Sequence, residues 1–323
     1  MENNIVLVLS DPTERILGML DQLPDDTTIV TGNNVEAFER SAAEANVIFS
    51  WSVGGSVLEQ VFAMASPRLR WVHSRAAGLD GVLFPALVES PVPLTNGRGV
   101  FSESLGEFVL GAALYFAKDF RRMVRNQEAG LWDQFDIEPL EGSTIGIVGY
   151  GDIGRAIAKR CRAIGMKVLA LRRRPEQSAG DPLVDVVYPP ERRLQMLAAC
   201  DYIAAAAPLT PQTRGMIGEA EFAVMKKSAV VMNVGRGPVI DEAALVRALA
   251  ENRIKGAALD VFDCEPLPAG HPFYQLKNVL LSPHCADHTP DWLADGMRFF
   301  LQQFERFRKG EPLLNVVDKQ SGY

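Results

Sequence analysis

The sequence predicts an α/β chain: a doubly wound parallel sheet preceded by a smaller α/β unit. Three observations carry this prediction. A run of β-formers, Thr144–Val148, leads into Gly149-Tyr-Gly151-Asp-Ile-Gly154, and a helical stretch, Ile153 to Ile164, follows. Strand candidates then recur at Lys167–Leu171, Tyr202–Ala206, Ala229–Val234, Ala257–Val261 and Val279–Ser282, with helical stretches between most of them. Ahead of all this, Ile5–Leu9, Val47–Trp51 and Leu69–His73 repeat the alternation on a smaller scale.

Composition narrows the class. At 323 residues the chain can build two domains, each with its own core. Hydrophobic residues at 47% and charged residues at 23% are those of a soluble globular protein. A formal net charge of −7 argues against nucleic acid or an anionic membrane as the main partner. Ile5–Leu9 is too short for a signal-peptide core, and no apolar run approaches the length that spans a bilayer. The cysteines, Cys161, Cys200, Cys264 and Cys285, show no CxxC spacing, so reduced thiols in a cytoplasmic protein are expected. No metal site is expected either. Only His284-Cys285 and His288 lie close together, and adjacent residues rarely close a site around one ion.

In chain order, Ile5–Leu9 reads as a buried strand and Thr13–Leu23 as a short helix. A helical stretch around Val57–Ala65 separates the next two strands. Ala76-Ala-Gly78-Leu-Asp80 follows the last of them. Small residues there let backbone amides face a crevice at the strand's carboxyl end, although an ordinary turn explains them equally well. Ser102–Asn126 reads as one long helix, with Leu105, Phe108, Val109, Ala112, Ala113 and Phe116 on an apolar face. Trp132 follows in a polar, acidic loop, where packing is the default role and presentation to a site or partner the alternative. Further helices are expected at Glu191–Ala199, Glu219–Met225 and Asp241–Glu251, the last capped by Asp241. Six parallel strands from Thr144 onward make a complete Rossmann sheet. Thr289–Lys309 is a final amphipathic helix expected to return to the N-terminal domain. The domains are therefore 1–98, completed by 288–323, for substrate, and 99–287 for dinucleotide.

The glycine fingerprint has a physical job at each position. Gly149 allows the tight turn, Gly151 lets backbone approach a pyrophosphate, and Gly154 lets helix and strand pack closely. Asp152 and Ile153 are counted with the glycines as cofactor-binding, because the helix that follows, Ile153 to Ile164, offers unpaired N–H groups and a positive dipole end to the phosphates. At the end of the second strand an NAD site usually carries a carboxylate for the ribose 2′-hydroxyl. This sequence has Arg172-Arg173-Arg174. A solvated charge run is the ordinary reading of such a cluster, but its place at this strand end favours bidentate recognition of a 2′-phosphate. NADP, as NADPH, is the expected cofactor.

Three later strand ends carry functional groups: Arg236 between Gly235 and Gly237, Asp260 and Glu265 ahead of Pro266, and His284 after Pro283. Each alone has a bland explanation in a salt bridge, a turn or a satisfied polar group. Together they lie at the carboxyl edge of one sheet, and they are what hydride transfer to a 2-keto acid requires. The arginine binds the carboxylate and polarises the carbonyl, the histidine protonates the oxygen, and the carboxylate holds the imidazole in one tautomer.

With Gly149–Gly154, Ala207-Pro-Leu-Thr-Pro-Gln-Thr213, Met225-Lys226, Asn233–Gly237, Ala258-Leu-Asp-Val-Phe262, Glu265-Pro-Leu-Pro268 and Pro283-His284 in this order, nearly the whole chain resembles the D-isomer-specific 2-hydroxyacid dehydrogenase family. Within it, the chain is most similar to glyoxylate/hydroxypyruvate reductases. The resemblance implies a smaller flavodoxin-like substrate domain, a catalytic trio of Arg236, Glu265 and His284, and a substrate-carboxylate loop at Ala76, Ala77 and Gly78. It also implies cofactor contacts from Pro208, Thr210, Thr213, Val234, Arg236, Asp260 and His284. Gly130-Leu-Trp132 resembles a Gly-x-Trp whose Trp enters the partner's active site, which implies a homodimer with Trp132 at the substrate. Gly235, Cys285-Ala-Asp287-His288 and Arg75 depart from the family pattern, and Arg75 could meet a polar or anionic substrate tail. The alternative from another class is a non-catalytic, dinucleotide-sensing protein of the corepressor type. A formate- or phosphoglycerate-type dehydrogenase fits the arginine-rich ribose end less well.

Overall fold

Both sheets are parallel throughout, and their central strands, covered on two faces, read as short apolar runs. The computed structural model describes residues 4–65 and 68–322. In chain order its strands are β1 (Asn4–Leu9), β2 (Thr27–Gly32), β3 (Val47–Ser50), β4 (Trp71–Ser74), β5 (Leu94–Asn96), β6 (Thr144–Val148), β7 (Lys167–Leu171), β8 (Val186–Tyr188), β9 (Tyr202–Ala205), β10 (Val230–Asn233), β11 (Gly256–Leu259) and β12 (Val279–Leu281). The helices are α1 (Gly55–Ala65), α2 (Pro85–Glu89), α3 (Ser102–Ala117), α4 (Phe120–Glu128), α5 (Asp152–Ala163), α6 (Arg193–Ala199), α7 (Glu219–Val224), α8 (Glu242–Ala250) and α9 (Trp292–Lys309). Two compact units result: Met1–Val100 with Thr289–Tyr323, and Phe101–His288.

In the smaller unit the strands pair in the order β2-β1-β3-β4-β5, the flavodoxin-like arrangement. Successive side chains point to opposite faces, so each strand feeds two cores. Leu7, Leu9, Ile48 and Val72 pack with Leu58, Val61 and Phe62 of α1. Val6, Val8, Val47, Phe49 and Trp71 pack with Met297, Phe300 and Phe304 of α9. Phe300 stacks on Phe49 with ring centroids 3.8 Å apart. The last helix thus covers one face of the first sheet.

The larger unit orders its strands β12-β11-β10-β9-β6-β7-β8, a doubly wound Rossmann sheet. Val168 and Ala170 of β7 face a core shared with Leu105 and Val109 of α3 and Ile157 of α5. Leu169 and Leu171 face the other, with Leu197 of α6, Phe222 of α7 and Leu245 of α8. The strand order reverses between β6 and β9, and a crevice at their carboxyl ends is where this fold binds nucleotides.

The structure corrects several expected elements. The larger sheet has seven strands rather than six, because β8, a partly exposed three-residue edge strand, adds to those expected. β2 and β5 were likewise not expected: one is half-exposed and rich in threonine, the other three residues long. The helix expected over Thr13–Leu23 is a 3-10 helix, Arg15–Gln22, with Gly18 weakening any α preference at its centre. The single helix expected over Ser102–Asn126 is two. Asp119 breaks it with φ 48°, and its carboxylate accepts the Arg122 N–H at 3.3 Å to start α4. The last helix begins at Trp292 instead of Thr289. Asp241 does cap α8, accepting from the Ala244 N–H at 2.9 Å. Among the described residues no helix is long and apolar enough to cross a membrane.

Candidate active site

The glycine loop after β6 is shaped by close backbone approach. Gly149 has φ 96°, and a Cβ there would lie 2.5 Å from the Ala207 nitrogen. The loops after β6 and β9 therefore touch backbone to backbone where the strand order reverses. A Cβ on Gly154 would lie 2.5 Å from the Gly149 carbonyl oxygen, so α5 starts directly against the loop. At Gly151 a Cβ would meet nothing within 4 Å. No side chain caps the first turn of α5, which holds Asp152, Ile153 and Gly154. Backbone amides, an open approach at Gly151 and the positive end of a three-turn helix fit a pyrophosphate.

At the end of β7 the three arginines separate. Arg172 is half-buried and turned onto its own loop: Nη2 donates to Gln177 Oε1 at 2.8 Å, and Nη1 reaches Ser178 Oγ. Arg173 and Arg174 are exposed. The cluster therefore holds two exposed arginines and one that braces the loop bearing them.

The ends of β10, β11 and β12 carry Arg236, Glu265 and His284. Asn233, buried at the end of β10, bends the Arg236 loop: its Oδ1 accepts the Gly235 N–H at 3.1 Å and its Nδ2 donates to the Arg236 carbonyl at 3.0 Å. A Cβ on Gly237 would lie 2.0 Å from the Phe262 carbonyl carbon, so the Arg236 loop lies flat on the loop leading to Glu265. Glu265 then links both ways. Oε1 accepts the Phe262 N–H at 2.9 Å, and Oε2 lies 2.6 Å from His284 Nδ1. The Glu265–Pro266 peptide bond is cis.

His284 itself has φ 53°, a left-handed conformation that is costly for a residue with a Cβ and persists only where its surroundings impose it. Asp260 imposes it. Buried at the end of β11, its Oδ1 accepts from Ser282 Oγ at 2.6 Å, Cys285 N–H at 2.9 Å and Ala286 N–H at 3.0 Å. One carboxylate oxygen thus clamps the loop on both sides of the histidine. Beside it, burial pushes the Asp287 carboxyl above the usual carboxylate range.

The remaining expected residues fall as follows. Thr213 Oγ1 donates to the Pro208 carbonyl at 2.6 Å and accepts the Thr210 N–H at 2.8 Å, closing the loop after β9 on itself. Val234 is buried against that loop, its N–H on Ala205 O at 3.0 Å. In the smaller unit, the loop of Ala76, Ala77 and Gly78 follows β4, and the Ala77 carbonyl accepts from Asn96 Nδ2 at 2.7 Å. Arg75 just before it is braced rather than loose. Its Nε donates to Trp51 O at 2.9 Å, and its guanidinium lies 5.0 and 4.9 Å from the rings of Trp51 and Trp292. Trp132 is 95% exposed. Asn233, Ser282 and Gly237 were not singled out individually from the sequence. Asn233 and Gly237 flank Arg236 in the quoted motif, and an Asn followed by glycines is a recognisable turn signal. Ser282 carries no signal of its own.

Comparison with known proteins decides the family. Residues 110–286, more than half of the chain, match the NAD binding domain of the D-isomer specific 2-hydroxyacid dehydrogenases. The chain belongs to that family. It is an oxidoreductase whose cofactor is a nicotinamide dinucleotide. It is 30% identical over 321 residues to the D-3-phosphoglycerate dehydrogenase of Methanocaldococcus jannaschii, an alignment that takes in 97% of this chain but 59% of that longer protein. It is 33% identical over 269 residues to the glyoxylate reductase of Korarchaeum cryptofilum, covering 79% of this chain and 78% of the relative. A D-isomer specific 2-hydroxyacid dehydrogenase from Xanthobacter autotrophicus Py2, solved with NADPH and MES, superposes with a TM-score of 0.84 at 29% identity, with all of both chains covered.

Proposed function

We propose that this chain reduces small 2-keto acids, of the glyoxylate and hydroxypyruvate kind, to D-2-hydroxy acids with NADPH. The observation that carries this reading is the 2.6 Å contact of His284 Nδ1 with Glu265 Oε2 at the carboxyl edge of a dinucleotide-binding sheet. With Nδ1–H donated to the carboxylate, Nε2 is the nitrogen that holds the transferable proton. His284 delivers that proton to the keto oxygen, and Glu265 offsets the charge of the ring that carries it. Arg236 pairs with the substrate carboxylate and draws on the carbonyl oxygen. The amides of Ala76, Ala77 and Gly78 are assigned to the same carboxylate by their resemblance to the family's loop. Asp260 holds the histidine's loop in register. The nicotinamide, when bound, supplies the hydride. The glyoxylate reductase relative supports the substrate class, and the NADPH-bound neighbour supports the cofactor.

The glycine loop with Asp152 and Ile153 would hold the pyrophosphate, and Arg173 and Arg174 the 2′-phosphate, with Arg172 bracing their loop. Pro208, Thr213 and Val234 line the cofactor side in this reading. Four free cysteines suit a cytoplasmic, reducing setting.

A homodimer belongs to the same reading. Trp132 stands exposed on an arm that is nonetheless fixed at both ends. Asp133 Oδ2 takes Arg122 Nε at 3.1 Å, and the Glu138 N–H reaches Ala117 O at 2.9 Å. Phe120, Val124 and Leu131 are exposed beside it. An arm already tied at both ends needs little further ordering to carry its indole into a second copy.

NADPH oxidation by a panel of glyoxylate, hydroxypyruvate, pyruvate and 3-phosphohydroxypyruvate tests the reading, with each acid repeated using NADH. Turnover on glyoxylate or hydroxypyruvate, with kcat/KM higher for NADPH, is expected. Turnover on the phosphorylated acid alone would move the chain to the phosphoglycerate dehydrogenases. Tight NADPH binding without any turnover would make it a dinucleotide sensor.

A further inference from the structure

The segment that follows the arginines is fastened to the glycine loop by one carboxylate. Asp181 has a side chain only 6% exposed, yet it belongs to no expected motif. Its Oδ2 accepts the hydroxyl of Tyr150, the residue between Gly149 and Gly151, at 3.0 Å. The same oxygen pairs with the guanidinium of Arg155 on α5. Its Oδ1 accepts the Leu183 N–H at 3.1 Å, and its own N–H reaches the Ser178 carbonyl at 3.2 Å. Ser178 Oγ in turn receives Arg172 Nη1. A continuous run of hydrogen bonds therefore joins the pyrophosphate loop, the first turns of α5 and the arginine loop.

We propose that Asp181 is a positioning residue for cofactor choice: through Tyr150 and Ser178 it fixes the arginine loop at a set distance from the pyrophosphate loop. This rests on the reading that Arg173 and Arg174 recognise a 2′-phosphate. The pyrophosphate is common to NADPH and NADH, so the glycine loop alone cannot choose between them. Choice requires guanidinium groups held where the 2′-phosphate of an already anchored cofactor falls, and bidentate pairing with phosphate tolerates little displacement. NADH makes no such contact and is indifferent to the fastening.

The chemistry suits the role. A bare carboxylate in this region would repel a 2′-phosphate, but Arg155 balances its charge and Tyr150 takes up a lone pair. Burial, with the neighbouring Asp181, holds the Tyr150 phenol well above its usual range, so it remains a donor at every working pH. Tyr150 is itself packed into the core under α5, which gives the carboxylate a fixed point to hold.

The test uses full-length wild type, Asp181→Asn and Tyr150→Phe. Titration calorimetry with adenosine 2′,5′-bisphosphate and with 5′-AMP reads the 2′-phosphate preference directly. Steady-state kinetics with NADPH and NADH on one keto acid read the same preference in turnover. In Asp181→Asn the preference for the bisphosphate and the NADPH:NADH ratio of kcat/KM are both expected to fall about tenfold, mainly through KM for NADPH. Tyr150→Phe, which removes one hydroxyl and keeps the packing, should shift both the same way by about threefold. Equal losses with both cofactors, or a change in melting temperature with the preference intact, would overturn the positioning role. If the wild type itself fails to distinguish the bisphosphate from 5′-AMP, the 2′-phosphate reading falls first and the inference falls with it. A discriminating wild type with unchanged variants overturns the inference alone.

Discussion

Two histidines sit near the ends of parallel strands, each with Nδ1 in one short hydrogen bond, and they differ in almost everything that follows. His73, in β4, is fully buried among Phe49, Trp71 and Phe300. Its Nδ1 lies 2.7 Å from Thr95 Oγ1, which also accepts from Trp71 Nε1 at 2.8 Å. An indole only donates, so Trp71 takes one lone pair of that hydroxyl, and the His73 ring, with no charge beside it and no water around it, is neutral. His284, after β12, is exposed and has a carboxylate beside Nδ1. A carboxylate can only accept, so it keeps a proton on Nδ1 and balances the charge of a ring that carries a second one on Nε2. The surroundings of Nδ1, more than the residue itself, separate a packing histidine from a proton carrier.

The largest effect expected from breaking this contrast is at the exposed ring. His284→Ala should lower kcat for the favoured keto acid by about 10³-fold, with cofactor affinity changed far less. Steady-state rates with a parallel NADPH titration check it. Glu265→Gln keeps an acceptor for Nδ1–H but removes the charge, and kcat should fall by about 10²-fold. If Glu265→Gln turned over like wild type, the carboxylate would be a loop anchor for Phe262 and no more.

At the buried ring the effect appears in stability. Burial lowers the His73 pKa from 6.5 to about 3. Below pH 6.5 the unfolded chain takes up a proton that the folded chain refuses, so this contribution to stability is lost progressively as pH falls from 6.5 toward 3. Between pH 6.5 and 5 the loss is about 2 kcal/mol. Urea titrations of wild type and His73→Phe at pH 7 and 5 should show the variant gaining on the wild type by that amount, with kcat at pH 7 within about twofold. A gap independent of pH would mean that the ring titrates in the fold as it does in water. The smallest effect is expected at Ser282→Ala, which removes one of three donors from Asp260 and should cost about threefold in kcat. A fall as large as that of Glu265→Gln would place Ser282 itself at the substrate.

How much of this was legible beforehand follows the range of each interaction. Strand, turn and helix around Gly149–Gly154 are local, so their roles could be read from composition and spacing. Arg236, Glu265 and His284 could be placed at strand ends because parallel strands put their carboxyl termini on one edge. The short strands β5 and β8 were not picked out, although β12 is as short and was; in each of them a neighbour supplies the ladder. The break at Asp119 was a missed local signal: an Asp ahead of a new helical turn is a cap, but the apolar stripe through Phe116 masked it. Asp260 gripping Cys285 and Asp181 gripping Tyr150 join residues 25 and 31 positions apart, and nothing in the intervening sequence marks either pair. The arginines show the limit most plainly. Three consecutive guanidinium groups read alike in sequence, and only the fold of the loop that follows, which returns Gln177 and Ser178 to Arg172, sets that one apart.

The proton's route is the centre of the account, and a single turnover tests it most directly. NADPH bound to wild type and to His284→Gln is mixed with hydroxypyruvate in a stopped-flow instrument, and the 340 nm absorbance is followed. The wild type should oxidise its cofactor in one rapid phase, while the variant, with NADPH bound to a similar extent, should be slower by about 10³-fold. Equal rates in the two proteins would contradict His284 as the acid and leave the Glu265 contact without a catalytic purpose.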